Sequence, residues 1–587
     1  MSLDWFARRR ARRAAEHGFD PDEVFLDSAN LPGFERGRPE GTIEMPISSR
    51  AIAGVGLVAA TVGLWFLWTL VSLQVISGES YALRAAENSL RRETTFAARG
   101  TIYDRNGAAL AWDEDPREGE SWSRRDYAAG PGLGSVLGYV GYPRRDARGF
   151  LYDAEVKGRA GVEAAYDSAL RGVDGQRVIE ETASGEVVSE SLFTQPVSGS
   201  RLDLAVDVEM QRALYSTLVL AADRVGFQGG AAGLMDLKTG EVLALVSFPD
   251  YDPAVMSAGE DGPKISAWLD DPRHVFLNRA TQGLYTPGSI VKPFLAVGAL
   301  EEGVVTPGTT VFSSGRLEVP NPYDPEHPSI FNDWKPLGLL DLRHGIAMSS
   351  DIYFYTLGGG AGGTEGLGID RLYAYARRFG FGEPVEDLAL RGPAGVVPNQ
   401  KWKAETFDGD PWRLGDTYFT AIGQYSWQVT LAQVLRAVSG VATGQLVEPT
   451  LVRQPGGAAI AARPLGLGAG NLQVVREGMR LSATEGTAKA LDIPGLPLSA
   501  KTGTAELGAS KRLVNSWVVG FFPPSEPRYA FAVVMERGSR DNLFGASPAF
   551  RPFLEWLYAN RPNVAAGLDP DEVAPEAASP EAGDAAL

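Results

Sequence analysis

Residues 51–76, AIAGVGLVAATVGLWFLWTLVSLQVI, contain no charged side chain, and this run constrains the fold more than any other feature. A helix over the run is roughly 39 Å long at about 1.5 Å per residue, enough to cross a ~30 Å hydrocarbon core. The run is too long for a cleavable signal peptide, and no small-residue cleavage site follows it. A buried core helix is the alternative, but a stretch that is apolar all round favours a single membrane span.

Arginines flank this span on both sides. They are Arg8, Arg9, Arg10, Arg12 and Arg13 before it, and Arg84, Arg91, Arg92, Arg99 and Arg105 after it. Because large domains cross the membrane largely regardless of charge, we expect a cytoplasmic N-terminus and a body outside the cytoplasm. The predicted location is therefore the cytoplasmic membrane, with one pass.

Composition excludes several classes of protein. At 587 residues the chain exceeds one ordinary domain, and its net charge of −18 gives no support to nucleic-acid binding. The absence of cysteine excludes disulfides, thiolate zinc sites and a cysteine nucleophile. Residues 563–587 are rich in Ala, Pro and acids and contain no Lys or Arg, which predicts a solvated, disordered tail.

The segment after the span has mixed patterns. Apolar spacing predicts an amphipathic helix over 80–92, and the turn Arg105-Asn106-Gly107 predicts a short hairpin within 96–113. The polar, Gly-rich stretch 114–134 indicates a loop, and GVEAAYDSALRG indicates a helix. We interpret residues 78–200 as an extended α+β domain.

From about residue 201 the pattern changes. A strand and helix come first, followed by two apolar strands whose solvated turn holds Lys238-Thr239-Gly240. Helices are then predicted over 289–303, 340–358, 369–380, 427–443 and 472–485, and three strands follow, the first being LPLSAKTGTAE. This order predicts an α+β fold in which helices cover an antiparallel sheet.

The stretch LYTPGSIVKPFLAVGALEEG places a serine and a lysine three residues apart. With Ser289 as N-cap, Pro293 is the fourth helical residue, where a missing N–H does no harm. Lys292 then shares a helix face with Ser289. A serine hydroxyl needs an adjacent base, and a lysine amine serves if its apolar neighbours lower its pKa.

Two further elements accompany this pair. Ser349-Ser350-Asp351 opens an apolar run and fits either a helix cap or a tight catalytic loop beside Lys292. A second Lys-Thr-Gly, Lys501 to Gly503, lies on a predicted strand rather than in a turn. The order S-x-x-K, S-x-D and K-T-G is typical of serine enzymes that react with β-lactams.

The sequence resembles the class B penicillin-binding proteins, which are membrane-anchored peptidoglycan D,D-transpeptidases, over residues 78–560. RGTIYDRNGAALA and GRAGVEAAYDSALRGVDG are similar to the family's pedestal, and TGEVLALVSFPDYDP and NSWVVGFFPP to its transpeptidase core. SSDIYFYTLG and GIDRLYAYARRFGFG favour the elongation type over the division type. The resemblance implies a cytoplasmic segment (1–50), a transmembrane helix (51–77), a pedestal with a reduced head (78–200), a transpeptidase domain (201–562) and the tail (563–587).

The resemblance also implies residue roles. Ser289 is expected to be the acylated nucleophile, Lys292 its base and Ser349 a proton relay. The backbone N–H groups of Ser289 and Thr504 are expected to form the oxyanion hole.

Five residues are expected to bind the stem peptide or a β-lactam. They are Asp351, Lys501, Thr502, Gly503 and Thr504. Asp351 stands where many relatives have Asn, and Tyr425 stands where the family tends to have Gly.

Some relatives bind zinc through a cysteine. Asp333, Asp341 and His344 lie in the corresponding stretch, but without a cysteine we expect a polar surface cluster, no metal and no cofactor.

The implied function is cross-linking of peptidoglycan stem peptides, lipid-linked or on nascent glycan, during side-wall synthesis, with inhibition by β-lactams. The implied partners are the inner membrane and a polytopic SEDS-family glycan polymerase, and nucleic acid is not one. A weakly catalytic or inactive activator of that polymerase and a division-type septal enzyme remain alternatives. A β-lactam hydrolase leaves the pedestal unexplained.

Overall fold

The computed structural model describes residues 48–81 and 90–571, except positions 119, 147–150, 182–186, 322, 323, 325, 387–389, 461, 509 and 543. The chain divides into two compact units, residues 1–90 and 91–587. In the first, the apolar run forms the helix Ser49–Val71 and continues as a π-helical turn, Ser72–Ile76. The predicted span is thus helical, and it is long and apolar enough to cross a membrane.

The second unit begins with small sheets. One has the strand order Leu90–Thr95, Gly175–Glu181, Val187–Thr194, and another has Leu202–Asp203, Ile102–Tyr103, Ala109–Glu114, Arg124–Tyr127. Strand pairs Val140–Gly141 with Lys157–Gly158 and Arg144–Arg145 with Leu151–Asp153, and helices Gly134–Leu137, Gly161–Ala165 and Asp167–Leu170, complete this region.

The sequence predictions for this region have mixed outcomes. The hairpin about Asn106 is confirmed, since Ile102–Tyr103 pairs with Ala109–Glu114. The loop predicted over 114–134 is wrong in part, because Arg124–Tyr127 is a strand whose pairing with the hairpin outweighs its polar composition. The predicted helix over 80–92 falls largely on residues 82–89, outside the described residues.

A buried charge cluster lies at the centre of this region. Glu163 is fully buried and pairs with Arg99 at 2.6 Å and with Arg125 at 2.7 Å. The two arginines also reach Asp167 at 2.8 Å and Asp113 at 3.1 Å, respectively. Removal of one member would leave buried charges without partners, so the cluster ties the hairpin, its neighbouring strand and the short helices together.

The larger part of the unit is built on a five-stranded antiparallel sheet. Its order is Val242–Phe248, Gly229–Asp236, Tyr529–Ser539, Leu513–Phe522, Ser499–Leu507. The predicted antiparallel sheet is therefore confirmed, with the strand that carries the second Lys-Thr-Gly at an edge.

The first Lys-Thr-Gly lies in the turn between the strands Gly229–Asp236 and Val242–Phe248, as predicted. The expectation that this turn is solvated is wrong for Thr239 and Gly240, which are buried. The segment near Thr450 covers them, and Thr450 N donates to the carbonyl of Gly240.

Helices cover both faces of the sheet because successive strand residues point to opposite sides. Ala232 and Leu234 join a core with helices Val208–Val225 and Ala546–Asn560, whereas Met235 joins the other core. The helices of that second layer are Lys292–Glu301, Leu342–Ala347, Asp351–Gly359, Gly368–Arg378, Leu414–Ala421, Leu431–Thr443 and Ala469–Thr484. Peripheral helices are Pro253–Ala258, Gly262–Asp270 and Gln400–Thr406, and short ribbons pair Val311–Ser313 with Gly338–Leu340, Arg316–Val319 with Ser329–Asn332, and Gln445–Leu446 with Arg463–Pro464.

The expectation of a solvated, disordered tail from residue 563 is wrong in part for its first nine residues, which are folded and partly buried. The helix Pro562–Ala565 buries Val564, and Asp571 then forms ion pairs with Arg105 at 3.1 Å and Arg453 at 2.5 Å. Basic partners from distant parts of the chain thus compensate for the polar composition. Residues 572–587 lie outside the described residues.

Candidate active site

Ser289 lies in a tight helical turn, Gly288–Val291, that leads directly into the helix Lys292–Glu301. The prediction that Ser289 is an N-cap is wrong. Gly288, at φ +57°, lets the chain enter the turn one residue earlier, so Pro293 occupies the second position of the α-helix. The core residues Ile290 and Val291 fix this turn against the body, and Ser289 remains half-buried.

The ammonium of Lys292 points away from solvent towards the second motif. Its side chain is fully buried, and Nζ donates to Asp351 Oδ1 at 2.6 Å and to the carbonyl O of Ser349 at 2.7 Å. Ser349 Oγ is 3.4 Å from Nζ, and the Phe354 ring lies 5.3 Å away. Among the hydrogen bonds of the described residues, those of Lys292 Nζ go to this loop and not to Ser289.

The second motif is a tight loop between two helices. Ser349 has φ +57°, and Ser350 caps the helix Asp351–Gly359 through Tyr353 N. The buried Asp333 carboxylate accepts hydrogen bonds from Ser350 Oγ at 2.6 Å and from Asp351 N at 3.0 Å. Asp333 therefore holds the loop in place, a role that the sequence analysis missed because nothing in its local pattern signals it.

The edge strand Ser499–Leu507 supplies the third motif. Lys501 is fully buried, and its Nζ donates to Ser349 Oγ at 2.8 Å. Thr502 is half-buried and donates to Thr487 Oγ1 at 2.6 Å, and Thr504 is exposed. An edge strand leaves N–H and C=O groups for an extended peptide, so this strand can bind one by β-addition.

The backbone of this strand packs directly on the turn that carries Ser289. A Cβ built on Gly503 would lie 2.8 Å from the Pro287 carbonyl O and 2.9 Å from Ile290 Cγ2. A Cβ on Gly288 would lie 2.8 Å from the carbonyl O of Thr504. Glycine is thus required at both positions, and the two segments that carry the expected oxyanion-hole N–H groups are neighbours.

Burial lowers the pKa of Lys501 well below its ordinary value, and the nearby Lys292 ammonium lowers it further. The negative charge of Asp351 opposes this shift only in part. The lysine of this site with a lowered pKa is thus that of the third motif. Ser349 Oγ connects the two amines, so the site contains a short path for a proton.

The candidate metal ligands do not form one surface cluster. Asp333 is buried and holds the second motif, whereas Asp341 caps the helix Leu342–Ala347 and accepts from His344 Nδ1 at 2.7 Å. The expectation of a polar surface cluster is therefore wrong for Asp333.

Two family models and several curated proteins match this chain. The family model "Penicillin binding protein transpeptidase domain" matches residues 230–555, and "Penicillin-binding Protein dimerisation domain" matches 119–204. The peptidoglycan D,D-transpeptidase MrdA of Haemophilus influenzae is 30% identical over 474 residues, covering 75% of this chain and 70% of that protein. MrdA of Escherichia coli K12 is 30% identical over 468 residues, covering 74% and 70%.

Solved structures show the same fold. Pseudomonas aeruginosa PBP2, solved in complex with WCK 5153, is 29% identical with a TM-score of 0.66, covering 80% of this chain and 97% of that one. A chain from a peptidoglycan synthase complex is 28% identical with a TM-score of 0.67, covering 87% and 99%. This chain belongs to the class B penicillin-binding proteins, the peptidoglycan D,D-transpeptidases, and to their elongation-type branch.

Proposed function

We propose that Ser289 is the nucleophile of a D,D-transpeptidase that cross-links peptidoglycan stem peptides through a serine acyl-enzyme. The single observation that carries the proposal is the convergence of the three motifs, in which Ser349 Oγ lies 3.4 Å from Lys292 Nζ and 2.8 Å from Lys501 Nζ. Ser289 Oγ attacks the carbonyl carbon of the penultimate D-Ala, and the peptide bond to the terminal D-Ala breaks. An amine on the stem peptide of a neighbouring glycan strand then attacks the ester, and Ser289 regains its proton.

The two lysines have different roles in proton transfer. Before substrate binds, Lys292 forms an ion pair with Asp351 at 2.6 Å, while the buried Lys501 is the amine with the depressed pKa. The terminal D-Ala carboxylate, bound at Thr502 and Thr504, brings a negative charge to Lys501. Lys292 then gives a proton to Ser349 Oγ as Ser349 gives its own to Lys501, which leaves Lys292 neutral.

Neutral Lys292 can take the proton from Ser289 as its Oγ attacks. The same proton returns through Ser349 to the leaving amine of D-Ala. The negative charge on the carbonyl oxygen is stabilised by the backbone N–H groups of Ser289 and Thr504. Gly503 allows the strand to pack closely on the turn that carries Ser289. Asp351 orients the substrate backbone once its ion pair with Lys292 is released.

The family also supports a proposal for the cellular setting. The helix Ser49–Ile76 anchors the chain in the cytoplasmic membrane with the N-terminus in the cytoplasm and the catalytic body outside it. A relative from a peptidoglycan synthase complex supports a SEDS-family glycan polymerase as partner. We propose the domain bounds given in the sequence analysis, with the folded body extended to residue 571.

The test uses the full-length protein in detergent, mixed with glycan strands that carry D-Ala-D-Ala stems. We expect one D-Ala to be released for each cross-linked muropeptide, and neither product from Ser289→Ala. D-Ala release without cross-links would indicate a hydrolase. Faster polymerisation by an added polymerase, without D-Ala release, would indicate the activator role instead.

Lys501→Met is expected to lose acylation yet gain stability at pH 7. Between its lowered native pKa and its ordinary value of 10.5, Lys501 binds fewer protons in the folded chain than in the unfolded chain. Wild-type stability therefore rises with pH in this window, by at most about 1.4 kcal/mol per pH unit from this group. The variant lacks this pH-dependent contribution. Its advantage in free energy of unfolding over the wild type should therefore decrease as pH approaches 10.5.

Urea unfolding of both proteins at pH 7 and pH 9.5 measures this difference. Lys264→Met, at an exposed lysine, is the control and should show no such pH-dependent difference from the wild type. A Lys501→Met protein that is less stable at pH 7, by a margin that does not change with pH, would contradict the lowered pKa of Lys501 in the folded chain.

A further inference from the structure

A short loop, residues 423–426, touches both segments that carry the proposed oxyanion-hole N–H groups. We call it the bridging loop. The carbonyl O of Gly423 accepts from Gly288 N at 2.9 Å, next to the nucleophile, and Gln424 Nε2 donates to the carbonyl O of Thr504 at 3.4 Å. A Cβ on Gly423 would lie 2.1 Å from the carbonyl O of Gly288. The loop therefore connects the two segments.

The bridging loop has an unusual backbone. Tyr425 has φ +56° and Ser426 has φ +59°, a region in which non-glycine residues are uncommon and strained. Such a conformation persists only where the surroundings hold it. Packing of the Tyr425 ring holds this backbone conformation. The ring packs edge-to-face on Trp402 and on Trp412, with ring centroids 6.2 Å and 5.4 Å apart, respectively.

A buried lysine and its two carboxylate partners lie beside the Tyr425 ring. The Lys403 side chain is 3% exposed, and its Nζ pairs with Asp416 at 2.6 Å and with Asp410 at 2.8 Å. The same Nζ lies 5.8 Å from the centroid of the Tyr425 ring. Trp412 Nε1 donates to a threonine on the next helix at 2.8 Å. The ring of Tyr425 therefore rests on two tryptophans and on the Lys403 ion pairs.

We propose that Tyr425 is a positioning residue for the oxyanion hole. Its ring clamps the bridging loop, and the loop sets the spacing between the N–H groups of Ser289 and Thr504. The inference rests on the proposed function, because it requires the acyl carbonyl oxygen to sit between these two N–H groups. Tyr425 acts through them and does not touch the substrate.

Tyr425→Gly removes the ring but adopts φ +56° without strain, so the loop loses its clamp and keeps an allowed backbone. We expect penicillin acylation to slow about 10- to 100-fold, with little change in the initial non-covalent affinity. Tyr425→Phe keeps the ring and should retain most of the rate. His274→Gly, at an exposed residue with φ +54°, is the matched control and should acylate as the wild type does.

The direct readout is the infrared stretch of the ester carbonyl in the penicilloyl-enzyme, measured on the full-length protein in detergent. Two hydrogen bonds in the oxyanion hole lower this frequency, and we expect a higher frequency in Tyr425→Gly but not in Tyr425→Phe. An unchanged frequency with a rate within twofold of the wild type would overturn the inference. A wild type that forms no acyl-enzyme would instead overturn the proposed function.

Trp412→Leu covers the case in which Tyr425→Gly does not fold. It removes one wall of the clamp from a half-buried position and should move the carbonyl band in the same direction by a smaller amount. A normally folded Trp412→Leu protein with the wild-type band would also overturn the inference.

Discussion

Lys292→Met is expected to slow penicillin acylation by about 10²- to 10⁴-fold, the range that loss of a general base produces. The methionine keeps most of the buried volume but removes the amine, so Ser289 has no group to accept its proton. It also leaves Asp351 without its 2.6 Å ion-pair partner and breaks the amine–hydroxyl–amine path at one end. The measurement is stopped-flow acylation by a chromogenic β-lactam at saturating concentration.

The matched control is Lys264→Met, an equal change at an exposed lysine of the helix Gly262–Asp270, which should acylate at the wild-type rate. Thermal unfolding of both variants shows whether the fold survives. A folded Lys292→Met protein that acylates within tenfold of the wild type would rule out Lys292 as the base and leave Lys501, through Ser349, as the acceptor.

Glu163→Ala is expected to lower the free energy of unfolding by about 3–5 kcal/mol, the usual result of breaking a buried ion pair from one side. Two guanidinium groups, those of Arg99 and Arg125, lose their shared carboxylate in a place that water does not reach. Because these arginines join the N-terminal hairpin to the short helices, we expect that region to unfold first. Denaturant unfolding followed by limited proteolysis measures both effects.

Glu155→Ala is the control for this change. Glu155 pairs with Arg171 at 2.5 Å, but its side chain is 50% exposed, so its loss should cost no more than about 1 kcal/mol. Equal destabilisation by the two substitutions would show that burial of the Glu163 cluster contributes nothing to the stability of this region.

The sequence predicts those parts of the site that depend on near neighbours in the chain. Alternating apolar residues indicate the strand around Lys501, and a polar break between two apolar runs indicates the turn at Lys238, so the two Lys-Thr-Gly copies are told apart correctly. Gly288 and Pro293 mark the start of the helix to within one or two residues. In each case the signal and the structure that it predicts lie within a single element.

Contacts between distant residues could not be predicted in this way. The bond from Lys501 Nζ to Ser349 Oγ joins residues 152 apart, and the carboxylate of Asp333 reaches Ser350 from 17 residues away. The same limit explains the tail, where an acidic composition suggests solvation but Asp571 meets an arginine 466 residues earlier. These contacts depend on which distant segments pair in the fold, and composition does not predict that pairing.

The measurement that tests the central claim most directly is the intact mass of the full-length protein after incubation with benzylpenicillin, followed by peptide mapping. We expect a lasting gain of one penicillin per chain, on the peptide that contains Ser289. The gain should be absent from Ser289→Ala and present in Ser314→Ala, a control at an exposed serine. No gain in the wild type, or an adduct on another residue, would contradict Ser289 as the acylated nucleophile.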